Sequence, residues 1–395
     1  MNFVSARAAF HARRTICKSA IAALLLGAWL LSPATAQDKS PITVVQVAPL
    51  EGPIGTYARS IQDGMAAYFQ WTNAHGGIRG QKIELVGVDI PIALNAAGIV
   101  QKYTEVARQY KPVAFAYPTL SQVQDALLEA KAPALLGVPV VGTFPQRLRR
   151  PSPPDPFVFF IGASEAREAQ RIVEHLASVG RNRVAIAYWD DANQKELIEA
   201  VRVAGISRGI QIVGTHPVEP TGRADMAAVI EGVVAASPSA VIGLVSMQDL
   251  ATITKGLRAK GSQAAVYGPS YIDPGLTGAE EDKSALRGVG LVQIVPNPHH
   301  PLMPLANDFR KQLASHAPRT SINSVAFRGY IAARLIVQAL NRCTDPKSPA
   351  CLRNELEKTR NHDLGGLVVN YTPDNHDGFS YVDIGMVSWN GKLIY

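Results

Sequence analysis

The sequence predicts an α/β protein made of two doubly wound parallel-sheet lobes. Strand-like apolar runs alternate with helical stretches of ~10–20 residues along nearly the whole chain, the pattern of parallel sheets wrapped by helices. A proline cluster at Pro151–Pro156 interrupts the alternation, which then starts again. The composition, 395 residues with 47% hydrophobic and 18% charged, is that of a folded chain and excludes a disordered or collagen-like one. At about 150 residues per domain, the length also fits two or three domains with ample core.

The elements follow in order. Ile42–Ala48 reads as a strand, and Gly55–Ala74 carries Ile61, Met65, Phe69 and Thr72 at helical spacing. Ile83–Asp89 alternates like a strand and Ala93–Tyr110 like a helix. Val113–Tyr117 and Ala134–Gly137 are short apolar runs on either side of a helical Ser121–Lys131. Beyond the prolines come strand Val158–Ile161, helix Ala163–Ser178, strand Arg183–Tyr188, helix Asn193–Ser207 and strand Gln211–Thr215. Helix Arg223–Ala236, strand Ala240–Val245, helix Met247–Lys260 and strand Ala265–Tyr267 continue the series. Strand Gly288–Val295, helices Leu305–Ser315 and Ile322–Arg342, and strands Gly366–Asn370 and Tyr381–Trp389 complete it. Ligands of open parallel sheets bind beyond the carboxyl ends of the strands. The loops to watch are therefore Pro49–Tyr57, Tyr117–Gln122, Pro139–Phe144, Trp189–Asn193, Ser246–Gln248 and Gly268–Asp273.

Residues 1–36 read as an export address. Arg13, Arg14 and Lys18 precede an apolar run from Ala20 to Leu31, and Ala34-Thr35-Ala36 supplies a small-residue cleavage site. The run is shorter than the roughly 20 residues a spanning helix needs. Cleavage after Ala36 would release the remainder into the periplasm, by the general route or, given Arg13-Arg14, the twin-arginine route. The leader also carries much of the net charge of +7, for the rest has 35 basic and 32 acidic residues. A residual +3 without a basic run gives no footing for nucleic acid. Cys343 and Cys351, eight positions apart and flanking the turn formers Asp345, Pro346 and Pro349, are expected to form a disulfide in that oxidising compartment.

Enzyme signatures fail where they can be tested. The chain has no G-x-S-x-G, no phosphate-binding G-x-x-x-x-G-K-[ST] and no H-E-x-x-H. Gly288 and Gly290 begin a dinucleotide fingerprint, but Gln293 stands in place of its third glycine. His299-His300 reads as a proline-flanked loop rather than a metal site. Asp190-Asp191 could support acid–base chemistry, although capping the next helix accounts for it. No catalysis, cofactor or metal is expected.

Pro49-Leu50-Glu51-Gly52-Pro53, Gly55-Thr56-Tyr57 and Asp63-Gly64, followed by Trp71-Thr72-Asn73-Ala74-His75-Gly76-Gly77-Ile78-Arg79-Gly80, resemble solute-binding proteins of branched-chain amino acid ABC transporters. Tyr267-Gly268-Pro269 matches at a later strand end, and the resemblance covers residues 40–395. It implies the type I periplasmic-binding-protein fold, two doubly wound lobes joined by a hinge of three strands and closing on a ligand. On that basis lobe 1 is expected at residues 37–157 plus 296–358, and lobe 2 at 158–295 plus 359–395.

The resemblance also implies a ligand site. Tyr57 would cover the ligand side chain. Thr119 or Ser121, with backbone N–H groups at the start of the following helix, would donate to a carboxylate, and the next loop would add a backbone carbonyl near Val141 for an ammonium and the Thr143 hydroxyl for the carboxylate. Asn193 and Ser246 (beside Met247) stand where the second lobe's aromatic residues are common. Ser270, next to Tyr271, replaces the acid that usually meets an α-ammonium, so a carboxylate with an uncharged or aromatic remainder is expected over leucine. The implied function is capture of a small amino acid or organic acid by a monomer that delivers it to an ABC permease at the inner membrane. A ligand sensor feeding a signalling partner is the alternative, and a hydrolase using Asp190-Asp191 a third reading.

Overall fold

A computed structural model describes residues 40–395 apart from 145–149, 220–224 and 277–279. The export address, its cleavage site and the expected start of a helix at Arg223 lie outside the described residues. Strand β1 (Ile42–Ala48) leads into helix α1 (Gly52–Ala74), then β2 (Ile83–Asp89), α2 (Ala96–Tyr110) and β3 (Ala114–Ala116). Helices α3 (Ser121–Glu129) and α4 (Ala132–Leu136) precede β4 (Val140–Val141) and β5 (Val158–Phe159). Next come α5 (Glu165–Ser178), β6 (Arg183–Trp189), α6 (Ala192–Ile206), β7 (Gln211–Val218), α7 (Met226–Ala235), β8 (Ala240–Leu244), α8 (Met247–Ala259) and β9 (Ala265–Gly268). A 3-10 turn at Pro274–Leu276, α9 (Glu280–Ala285) and β10 (Gly290–Gln293) follow. Helices α10 (Pro304–His316), α11 (Ser324–Arg342) and α12 (Pro349–Glu357), strands β11 (His362–Asp363) and β12 (Val368–Val369), and β13 (Asp383–Val387) and β14 (Leu393–Ile394) finish the chain.

Two sheets organise these elements. The first is parallel throughout, in the order β2-β1-β3-β4-β5. The second runs β14-β13-β10-β9-β8-β6-β7, parallel from β10 to β7, with β13 and β14 added antiparallel. Alternation along β1 sends Val44 to one face, where α1, α10 and α11 pack, and Val45 and Val47 to the other, under α2, α3 and α4. The second sheet likewise carries α7 and α8 on one face and α5 and α6 on the other. The protein is thus a two-lobed α/β fold with a core on each face of each sheet.

The chain crosses between lobes three times, and core membership locates each crossing. Ile161 packs in the first lobe and Ala163 in the second, with Gly162 between them. Ile294 belongs to the second and Val295 to the first. Tyr381 packs on the first core and Val382 on the second. The first crossing therefore falls a few residues beyond the expected 157, since Val158 and Phe159 pair with β4. The third falls at 381 rather than 358, because Leu364, Leu367, Val369, Tyr371 and Phe379 are buried in the first core. The first and third crossing segments run side by side, the Phe160 N–H donating to His376 and the Gly378 N–H to Phe160.

Other differences have local causes. Ala134–Gly137 is not a strand, for Pro133 opens a helical turn there and Gly137, in the left-handed region, closes it. The short helix α9 has no counterpart in the sequence pattern. The Trp71–Gly80 motif ends α1 and starts β2: Gly77, at φ 67°, donates to Thr72, and the Asn73 amide holds both backbone groups of Ile83 at 2.8 Å. Helices α1 and α11 touch backbone to backbone. A Cβ at Gly64 would overlap the carbonyl of Ala326, and one at Gly329 that of Ile61. Cys343, at the end of α11, and Cys351, in the first turn of α12, form a disulfide with their Cα atoms 5.9 Å apart.

Candidate functional site

The loops beyond the strand ends meet where the two lobes face each other. From the first lobe, α1 brings Tyr57, whose ring stacks on Phe144 at 5.2 Å. Phe144 follows β4 and bridges to Thr119 in the loop after β3. That loop is conformationally costly: Tyr117 and Leu120 both have positive φ, at 47° and 76°. The Tyr117 ring covers Gly142, the position next to Thr143, where no side chain would fit. Behind Phe144 lies the guanidinium of Arg328, from α11, 5.6 Å from the ring centre.

The second lobe contributes the loop after β9. Ser270 is buried, and its N–H and hydroxyl donate to the two carboxylate oxygens of Glu168 at 2.9 and 2.8 Å. Its carbonyl accepts from Arg328 at 2.8 Å. One serine thus stands between a buried acid from α5 and a buried base from α11. Tyr271 packs against cores of both lobes. Asp273 reaches across to the start of α11, accepting from the Ser324 N–H and hydroxyl while also accepting from Gly275.

Burial dominates the electrostatics. It pushes the Tyr57 phenol up to about 12, with Asp273 adding to the rise and Arg328 opposing it. It raises the Tyr271 phenol well above its ordinary value, helped by Glu165, Tyr57, Glu168 and Asp191. It raises the Glu168 carboxyl too, against the hydrogen bonds of Ser270 and the fields of Arg328 and Arg150. Burial lowers Arg328, opposed by Tyr117, Glu168 and Asp273. Among the described residues, the buried hydroxyls of Tyr117, Thr119 and Tyr271 have no hydrogen-bond partner.

Of the residues singled out in the sequence, Tyr57, Thr119, Ser270 and Tyr271 therefore gather in this cluster, with Thr143 buried beside Phe144. Val141 lies in β4, fully buried in the first core. Ser121 opens α3 and is half-buried; Asn193, in the first turn of α6, is half-buried as well. Ser246 caps α8, its hydroxyl accepting from the Asp249 N–H and donating to that carboxylate, which also takes the Trp189 indole N–H. Asp191 caps α6 and Asp190 pairs with Lys195. A cleft of about 510 Å³ adjoins the cluster at Asp273 and is lined by Lys283, His299, Arg319 and Lys392.

Sequence reasoning missed Glu168 and Arg328. Glu168 follows the Ser164 cap by one turn, where an acid reads as ordinary helix-dipole chemistry. Arg328 left a clearer signal, a lone arginine between Phe327 and Gly329 in an otherwise apolar stretch of α11. Glu168 sets an acid against Ser270 through space, where Asp190 and Asp273 are the second-lobe acids the sequence offers.

Polar and aromatic loops converging between two α/β lobes, beyond the carboxyl ends of parallel strands, are the place where ligands of such folds are held. The family model for periplasmic binding proteins matches residues 41–392, and the chain belongs to that family. No curated sequence matches it significantly. Among solved structures, an extracellular ligand-binding receptor from Verminephrobacter eiseniae is 25% identical with a TM-score of 0.81, the match covering 90% of this chain and 100% of that one. A substrate-binding periplasmic protein from Ralstonia solanacearum is 27% identical with a TM-score of 0.79, over 89% and 99% of the two chains. A branched-chain amino acid ABC transporter protein from Thermus thermophilus, with bound valine, is 18% identical with a TM-score of 0.78, over 90% and 95%.

Proposed function

We propose that the protein is the solute-binding component of an ABC importer. It captures a small amino-acid-like or carboxylate ligand between its lobes in the periplasm and delivers it to a membrane permease. The observation that carries this reading is the convergence of Tyr57, Thr119, Phe144 and Arg328 from one lobe with Glu168, Ser270 and Tyr271 from the other. Aromatic faces would cover the body of the ligand, and charged and hydroxyl groups would fix its polar ends. Closure of the lobes would bury the ligand and create the surface a permease reads. Because Glu168 supplies an acid at the Ser270 pole, a ligand with an ammonium group stays within this reading.

Native mass spectrometry of protein purified from the periplasm, followed by titration calorimetry with whatever solute is retained, tests the reading. One small solute bound at a stoichiometry of one, with affinity lowered in Tyr57→Ala, is the expected result. A protein that binds no solute from a broad amino-acid and organic-acid panel would exclude it.

A further inference from the structure

Resting on the capture reading above, we infer that Arg328 is the anchor of the ligand's carboxylate and so restricts the ligand to molecules carrying one. Arg328 is 0% exposed, in a helix whose neighbouring residues are apolar. Its guanidinium has five N–H donors, yet among the described residues it makes one hydrogen bond, to the Ser270 carbonyl, and its Nε has no acceptor. The acids whose fields it feels, Glu168 and Asp273, are engaged elsewhere: Glu168 by Ser270, Asp273 by Ser324 and Gly275.

The groups around it have the same need. Tyr117, 0% exposed, feels the field of Arg328, and its hydroxyl and that of Thr119, 1% exposed in the same loop, are unpartnered among the described residues. The guanidinium offers only donors, and each hydroxyl can turn its hydrogen toward an anion. A carboxylate complements them, presenting two oxygens in the plane and at the spacing of the arginine fork. An amide of the same shape offers one acceptor oxygen and leaves donors of a buried cation unmatched, which is costly. The Phe144 ring under the guanidinium and the Tyr57 ring beyond it leave an apolar, aromatic wall for the remainder of the ligand.

The test is calorimetric titration of the mature protein with 3-methylbutanoate, phenylacetate and leucine, each beside its primary amide. The expected result is an acid that binds a hundredfold or more tighter than its amide. In Arg328→Gln that acid should weaken by about the same factor and the preference should vanish, while Arg328→Lys should recover part of the affinity. Thermal melts establish which variants fold. Should none fold, the acid–amide comparison on the parent and the Tyr117→Phe/Thr119→Val variant, with an expected loss of about tenfold, still decide.

A folded Arg328→Gln protein that binds the acid as tightly as the parent overturns the inference. So does a retained solute without an anionic group, or an acid and amide that bind alike, and in those cases solute capture itself stands. Absence of any bound solute defeats both.

Discussion

Asp273 and Ser324 join the two lobes: one carboxylate oxygen of Asp273 accepts from the Ser324 N–H at 2.7 Å and from its hydroxyl at 2.5 Å. Asp273 follows β9 of the second sheet, and Ser324 begins α11 of the first lobe. The carboxylate thus meets the positive end of a helix as well as two donors. This contact exists only while the loop after β9 stays docked on α11.

Ser324→Ala removes one charge-assisted bond and should weaken the docked arrangement by about 1.5–3 kcal/mol. Small-angle scattering of the ligand-free variant should show a larger radius of gyration, and ligand affinity should fall by about tenfold or more. An unchanged radius and affinity would mean the contact does not govern closure.

Glu168 should make stability depend on pH. Burial raises its pKa above the ordinary 4.5, so the folded protein keeps a proton that the unfolded chain has released. Stability then falls as pH rises from 4.5 through the native value, since the unfolded state binds fewer protons. Glu168→Gln removes this slope. Relative to the parent, its midpoint of urea unfolding should improve as pH rises above 4.5. A constant offset would show that Glu168 does not titrate differently on folding.

The Cys343–Cys351 disulfide closes a short loop between α11 and α12, and Cys343 is fully buried. The chain-entropy model assigns such a link about 2–3 kcal/mol. The Cys343→Ala/Cys351→Ala variant should lose about that much in denaturant unfolding. Its ligand affinity should match the parent's, because neither cysteine is among the residues that meet between the lobes. A weakened affinity in a fully folded variant would contradict that separation.

Gly329→Ala should be far worse than an average helix substitution. Its Cβ would enter the space of the Ile61 carbonyl, and backbone on both helices leaves nothing flexible to give way. A destabilisation of about 3 kcal/mol is expected, at the upper end for overpacking. Gly64→Ala should behave alike. A melting temperature within a degree of the parent for either would show that α1 and α11 can separate freely.

The fold was legible because its signals are local and repeated. The β-rich run of β1 marks a strand, the 3.6-residue period of α1 names its buried face, and the Asn73–Gly77 turn carries its mechanism in its residue types. The ends of the lobes were less legible. Residues 364–379 hold Leu364, Val369, Tyr371 and Phe379 in a turn-rich stretch, and nothing local says which sheet receives them. The site divided in the same way. Tyr57 and Thr119 follow from strand-end loops, but Glu168 reaches Ser270 across 102 positions, and no spacing rule encodes that meeting. Arg328 was the exception that the sequence did offer, a charge where the helical pattern demanded an apolar residue.

The three crossings carry a consequence for the growing chain. Helix α1 is complete by residue 74, yet the surface that buries it is α11, and the bond from Ser60 to Asn323 spans 263 positions. The first lobe closes only when Tyr371 and Phe379 arrive, and the second gains β13 and β14 from the residues after 382. Both lobes therefore finish only near the end of synthesis. A nascent chain of 300 residues would hold most of the strands but neither finished core, and would stay open to chaperones and proteases until its last tenth is made.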